Sequence, residues 1–351
     1  MEISKILRTI DANLNRTSEG LRVLEEIARM VLDDVNLSAK LKEMRHNLIR
    51  TDTDFNTALL QARNAAEDVG AESEVSGESK TKDIELMLAA NARRVQESLR
   101  VLEELSKLPE AYSKFDPDAF QKARFEIYTL ERELMSALLR KGKRDRIKGL
   151  YVIIDRESLP GKDLFEIAEK LVSAGVKVLQ LRDKTTPKGE LMGIAGEIQK
   201  LCRRSGVLFI INDYIDIAIS IKADGVHIGQ KDLPAEAVRR LLPINSIMGV
   251  SAKTIEEAVA AEKAGADYLG VGSIYTTSTK SDTTMVGIDR ISEIKKTVKI
   301  PVAAIGGINR DNIAEVIRAG ADSACVISAV LRVQDAVEAA KELINIIEET
   351  K

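Results

Sequence analysis

The chain has 351 residues with a net charge of −3, 30% charged residues, 3% aromatic residues and no Trp; this length predicts two domains. There is no basic excess to neutralise a nucleic-acid backbone, so DNA and RNA are excluded as main partners. Two cysteines, Cys202 and Cys325, make neither a disulfide framework nor a structural zinc site, and no long apolar run suggests export or a membrane span, so the expected location is cytoplasmic.

The first 140 residues read as helix. Ile10, Leu14, Thr17, Leu21, Leu24, Ala28 and Val31 recur in steps of four and three, which puts them on one stripe of a long helix. NLNRTSEGLRVLEE, from Asn13 to Glu26, returns as NARRVQESLRVLEE from Asn91 to Glu104 with nine of fourteen positions shared. The expectation is an all-α domain, 1–140, built from a duplicated helical hairpin. Asn13, Arg16, Gly20 and Val23 in one copy, and Asn91, Arg94, Ser98 and Val101 in the other, follow steps of three and four along the edge of the apolar seam, which reads as either a paired site or a solvated flank. Arg22 with Glu26 and Arg100 with Glu104 have ordinary i,i+4 spacing. Between the copies, AEDVGAESEVSGESKTKD (66–83) reads as a long exposed loop, either a connector or a functional segment. A basic linker, 141–148, is expected to end helical periodicity.

From Gly149 the pattern changes to short β-branched runs separated by amphipathic helices. Candidate strands lie at 150–155, 176–182, 207–212, 225–229, 246–250, 267–272, 301–306 and 324–328. Eight βα units in about 200 residues predict a (β/α)8 TIM barrel over 149–351. An open doubly wound sheet is the fallback, disfavoured because no Gly-x-Gly-x-x-Gly turn follows the first strand.

Active sites of such barrels lie at the C-terminal strand ends. Strand two ends in Gln180, Arg182 and Lys184, whose spacing of two turns them to one side, and a planar Arg fork with a Lys point charge suits phosphate oxygens. Strands three and four end in Asn212 and Asp213, and in His227, Gly229, Gln230 and Asp232. Two carboxylates from adjacent strands suit magnesium, although Asp232 could alternatively cap the helix that follows. His227 reads as a hydrogen-bonded core residue without a catalytic role. Strand five ends in Ser251, and the loop after strand six, with Thr277, Ser278, Thr279 and Lys280, has the chemistry of an anion-gripping loop. After strand seven, Gly306 and Gly307 precede a helix expected near Asn309 or Asp311, and strand eight ends in Ile327 and Ser328. Backbone N–H groups there suit a monophosphate, although Gly-Gly alone would also make a tight turn. Two anion sites imply a two-substrate transfer.

The order QLRDK, ND, DGVHIGQKD, GVS, TSTK, AIGGI and VIS resembles the thiamine phosphate synthase family over Gly149 to Lys351. The resemblance implies condensation of 4-amino-2-methyl-5-(diphosphooxymethyl)pyrimidine with thiazole phosphate, releasing pyrophosphate by a dissociative route. It implies that Gln180, Arg182, Lys184, Asn212, Ser251 and Lys280 bind the pyrimidine diphosphate, with Arg182, Lys184, Ser251 and Lys280 catalytic. Asp213 and Asp232 would hold Mg2+, and Thr277, Ser278, Thr279, Gly307, Ile327 and Ser328 would bind thiazole phosphate. Ser273 and Thr276 stand where family members commonly have proline, and Thr283 where Ala is expected; none is a proposed ligand.

Two rivals share the fold. A thiazole tautomerase needs neither the diphosphate site nor its carboxylates, so QLRDK, Asp213 and Asp232 argue against it. A Schiff-base aldolase would use Lys280, which instead follows polar hydroxyls rather than sitting in a desolvated or cationic setting. The repeated N-x-x-R-x-x-E-x-L-R-V-L-E-E motif resembles a helical hydroxymethylpyrimidine phosphate kinase domain found fused to such synthases, which implies ATP as a cosubstrate, although no P-loop is present. The alternative for 1–140 is a noncatalytic helical module for oligomerisation, and the sequence leaves a homo-oligomer open.

Overall fold

The computed structural model describes residues 3–49, 53–63, 83–108, 115–277 and 284–350, and the chain divides into two compact units, 1–139 and 140–351. Most of the long loop expected at 66–83 lies outside the described residues; Asp83 is described and caps the next helix by accepting from Leu86 N at 2.8 Å.

In the first unit, α1 (Ile3–Glu26) runs into a π-helical turn, Ile27–Val31, and is followed by α2 (Val35–Ile49), α3 (Thr53–Ala62), α4 (Ile84–Leu105) and α5 (Pro117–Arg144). Ile10, Leu14, Thr17, Leu21, Leu24 and Ala28 are buried as one stripe. The two copies pack through this seam: a Cβ on Gly20 would stand 2.6 Å from Val95 Cγ2 and 3.1 Å from the Asn91 carbonyl oxygen. Gly20 therefore sets how closely α1 approaches α4. Each copy also buries a carboxylate that its sequence periodicity does not announce. Glu25 is ion-paired with Arg22 and Arg45, and Glu103 with Arg100 and Arg124, at 2.8–3.2 Å. The expected i,i+4 pairs form as well, at 2.6 Å for Arg22–Glu26 and 2.8 Å for Arg100–Glu104.

The expected end of helix at Arg140 is corrected, because α5 continues to Arg144. Its last turn carries Lys141, Lys143 and Arg144, whose charge complements the C-terminal end of the helix dipole. Arg140 and Lys143, which already belong to the second unit, also bind Asp267 and Asp224 of that unit, at 2.6 and 3.0 Å.

The second unit is a closed barrel of eight parallel strands in sequence order: β1 Gly149–Asp155, β2 Val178–Arg182, β3 Leu208–Asn212, β4 Gly225–Ile228, β5 Ile247–Ala252, β6 Tyr268–Val271, β7 Val302–Ile305 and β8 Ser323–Val326. Alternation divides the strand residues between two cores. Val152, Ile154, Leu179, Leu181, Phe209 and Ile211 pack outward beneath the helices, whereas Tyr151, Ile153, Val178, Leu208, Ile210, Tyr268 and Cys325 fill the interior. Helix ends fall where the Ala-Gly pairs predict, with Gly175, Gly265 and Gly320 all at positive φ. Just before β4, β6 and β8 the sequence reads Ala-Asp, and Asp224, Asp267 and Asp322 accept from Phe209 N, Met248 N and Val302 N at 2.8–3.1 Å. This repeated device closes the N-terminal rim of the barrel and leaves the opposite rim for chemistry. No helix among the described residues is long and apolar enough to cross a membrane.

Candidate active site

At the end of β2, in register with the end of β1, the Arg182 guanidinium donates through Nη1 to Asp155 Oδ1. Asp155 is 1% exposed and its other oxygen accepts from Ser158 Oγ at 2.9 Å. A buried carboxylate in this position holds the guanidinium plane steady at the mouth. One residue further on, Asp183 organises the loop below Lys184. It accepts from Thr185 N and Thr186 N at 3.0 and 2.9 Å, from Thr186 Oγ1 at 2.7 Å and from Arg156 Nε at 3.1 Å. Burial opposes its ionisation, but these donors outweigh burial and bring the carboxyl down to about 2.

Lys184 Nζ lies 3.1 Å from Asp213 Oδ2. Asp213 follows β3 with φ of +62°, a left-handed conformation that Asp tolerates better than most residues, and its N–H donates to His227 O at 2.9 Å. That turn brings its carboxylate beside Asp232. Asp232 accepts from Gly229 N at 2.7 Å, and burial together with the Asp213 carboxylate raises its carboxyl above the ordinary range. The helix-cap alternative for Asp232 does not hold, because that helix begins at Ala235 after Pro234 and has no side-chain cap. Among the described residues no group of three or more His, Cys, Asp or Glu is arranged to hold a metal. The facing pair Asp213 and Asp232 is therefore a two-carboxylate cradle, which suits magnesium if substrate and water oxygens complete the shell.

Gln180 and Ser251 lie on opposite sides of the interior. Gln180 donates to Tyr151 OH at 2.6 Å, and Ser251 Oγ sits 3.0 Å from His227 Nε2. Asn212 ends β3 in register with His227. The start of the sixth loop packs on the turn after β7: Ile274 N donates to Ile305 O and Tyr275 N to Gly306 O, both at 3.0 Å. Gly306 and Gly307 have φ of +106° and +66°, and a Cβ at Gly307 would stand 2.5 Å from Thr276 O. Thr277 is thus brought near this turn, whereas Ser278, Thr279 and Lys280 lie outside the described residues. The helix expected near Asn309 or Asp311 starts instead at Ile313. Asn309 and Asn312 hold the preceding residues in side-chain turns, with Asn309 N donating to Asn312 Oδ1 and Asp311 N to Asn309 Oδ1. Ile327 and Ser328 come directly after β8, which ends at Val326.

Three comparisons with known proteins place the chain in a family. A family model described as thiamine monophosphate synthase matches residues 150–330, and the chain is 37% identical to the thiamine-phosphate synthase of Thermosynechococcus vestitus over 98% of its own length and 95% of that protein. The chain belongs to the thiamine monophosphate synthase family. It is a transferase of thiamine biosynthesis. Its identity to the Prochlorococcus marinus subsp. pastoris thiamine-phosphate synthase is 38%, over 94% of this chain and 92% of the relative. A solved thiamine phosphate pyrophosphorylase from Pyrococcus furiosus is 40% identical with a TM-score of 0.55, covering 59% of this chain and 98% of its own. A second model, described as the ThiD2 family, matches residues 8–133.

The strand-end reading of the sequence missed Asp155, Asp183, Tyr151 and Tyr268. A signal exists for Asp155, which ends β1 as Arg182 ends β2. The two tyrosines read as ordinary apolar-strand residues, and only barrel closure brings their hydroxyls together.

Proposed function

We propose that residues 149–351 condense the pyrimidine diphosphate with thiazole phosphate to give thiamine phosphate and pyrophosphate. We further propose that residues 1–140 phosphorylate hydroxymethylpyrimidine phosphate with ATP to supply the first substrate. The observation that carries the barrel reading is the mouth itself: Arg182 anchored on Asp155, with Lys184 beside Asp213 and Asp232. Gln180, Asn212 and Ser251 line the way to the pyrimidine, and Lys280 is expected to add a cation to the diphosphate. Mg2+, held by Asp213 and Asp232, would supply charge neutralisation for a diphosphate. Arg182 and Lys184 orient the leaving group and stabilise its growing charge, so pyrophosphate departs before the thiazole nitrogen captures the pyrimidine cation. This chemistry requires no protein nucleophile.

Thiazole phosphate is assigned to Thr277, Ser278, Thr279, Gly307, Ile327 and Ser328. Gly307→Val should raise the KM for thiazole phosphate at least about tenfold, because its Cβ meets the Thr276 carbonyl in a backbone region unfavourable to valine. The KM for the pyrimidine diphosphate should change little. Equal increases for both substrates would refute the two-subsite map.

Supplying purified protein with pyrimidine monophosphate, ATP, magnesium and thiazole phosphate, and assaying for thiamine phosphate, tests both halves together. Residues 140–351 alone, which keep the Arg140–Asp267 pair, should make thiamine phosphate from preformed diphosphate but not from monophosphate plus ATP. The alternative for the helical part is a noncatalytic module, in which the duplicated Glu25 and Glu103 ion pairs serve only packing. That role is the better reading if the full chain consumes no ATP with pyrimidine monophosphate and removing residues 1–139 dissociates an oligomer.

A further inference from the structure

Five polar side chains cross the barrel interior in one unbroken chain. Gln180 Nε2 lies 2.6 Å from Tyr151 OH, which is 3.0 Å from Tyr268 OH. Tyr268 OH lies 3.2 Å from His227 Nδ1, and His227 Nε2 is 3.0 Å from Ser251 Oγ. Space for this chain is provided by two glycines. A Cβ on Gly249 would stand 2.1 Å from Tyr268 Cζ and 2.4 Å from His227 Nδ1, and one on Gly270 would stand 2.8 Å from His227 Cε1. The Tyr151 and Tyr268 side chains are fully buried, so each phenol proton must find its acceptor within the chain.

That requirement gives the chain a direction. An amide nitrogen only donates, so Tyr151 accepts from Gln180 and passes its own proton to Tyr268. Tyr268 then donates to His227 Nδ1, which must be unprotonated. The imidazole proton therefore sits on Nε2 and is donated to Ser251 Oγ. If His227 instead donated through Nδ1, Tyr268 would turn its proton toward Tyr151, and the buried Tyr151 proton would lose its acceptor, at the cost of an unsatisfied buried donor.

We propose that His227 is a positioning residue, held as the neutral Nε2–H tautomer by the two tyrosines, that turns the Ser251 hydroxyl into a donor toward the substrate while leaving the Gln180 carbonyl oxygen as an acceptor. The inference rests on the synthase reading for its substrate: an aminopyrimidine diphosphate offers an amino donor to Gln180 and a ring nitrogen or phosphate oxygen to Ser251. With the Gln180 amide turned over, every bond would reverse. Gln180 would then face the amino group with its own N–H, and Ser251 would face the diphosphate with lone pairs only. The buried protons require one direction along the whole chain, and the amide orientation of Gln180, which matches the amino group of the substrate, selects this one.

The test uses the full chain labelled with 15N-histidine. There are two histidines, and His46→Gln leaves the His227 signals alone. A long-range 1H–15N spectrum at neutral pH should show the Nε2–H tautomer, and Tyr268→Phe, which keeps the ring against Gly249, should shift the population away from it. An Nδ1–H tautomer, or a cationic ring, overturns the proposal. In turnover, His227→Leu should raise the KM for the pyrimidine diphosphate about tenfold, the scale of one lost hydrogen bond, without changing the KM for thiazole phosphate. His227→Gln, whose amide can still donate to Ser251, should recover most of the loss; no difference between the two variants would also overturn it. The Nε2–H tautomer in a protein that does not turn over the pyrimidine diphosphate would refute the synthase reading and leave the hydrogen-bond direction standing.

Discussion

Asp213→Asn is expected to lower kcat roughly a thousandfold, on the order of 4 kcal/mol of transition-state stabilisation. Asparagine is the informative replacement because position 213 has φ of +62°, and Asn accepts a left-handed conformation at little cost. Alanine would add backbone strain to the chemical loss. The amide keeps the size of the side chain but removes the charge that faces Lys184 at 3.1 Å and Asp232 beside it. The cradle then has a single carboxylate, and Lys184 loses the partner that orients it. The magnesium requirement should rise while the unfolding temperature stays close to that of the parent protein. Normal turnover by Asp213→Asn at limiting magnesium would show that the metal is not held here.

Arg182→Lys should lower kcat by about 30- to 100-fold, roughly 2 to 3 kcal/mol, the scale of losing one preorganised donor. The guanidinium gives Nη1 to Asp155 and still has donors on Nη2 and Nε for a phosphate. An ammonium is a point charge and cannot hold both partners in one plane. Lysine keeps a cation near Asp155, which is 1% exposed, so the fold should be spared. Arg182→Ala would leave that carboxylate buried and unpaired, a loss on the order of 3 to 5 kcal/mol in stability. Measuring kcat and thermal unfolding on both variants separates catalysis from folding. Parent-like kcat in Arg182→Lys would sink the assignment of Arg182 to the leaving group.

The sequence by itself determined the architecture: a helical first part with an internal duplication, then eight βα units closing as a barrel. Hydrophobic period carries this information, since a strand or helix must turn its apolar face to a core wherever it lies. The same period placed Gln180 and Arg182 at one strand end, with Lys184 just beyond, and Asp213 at the next. Strand boundaries came within one or two residues, because the Ala-Gly pairs and the β-branched runs are local signals. Residues 141–144 could not be read as helix from composition, because what holds that turn includes Asp267 and Asp224, far along the chain. Only the tertiary structure decided that Arg182 is anchored by Asp155, that the left-handed turn at Asp213 brings its carboxylate to Lys184 and Asp232, and that His227 joins Ser251 to Tyr268. The partners in these contacts come from different strands, and their distances are set by barrel closure and register. Local periodicity specifies which face of a strand is buried, but it does not specify which buried polar groups meet.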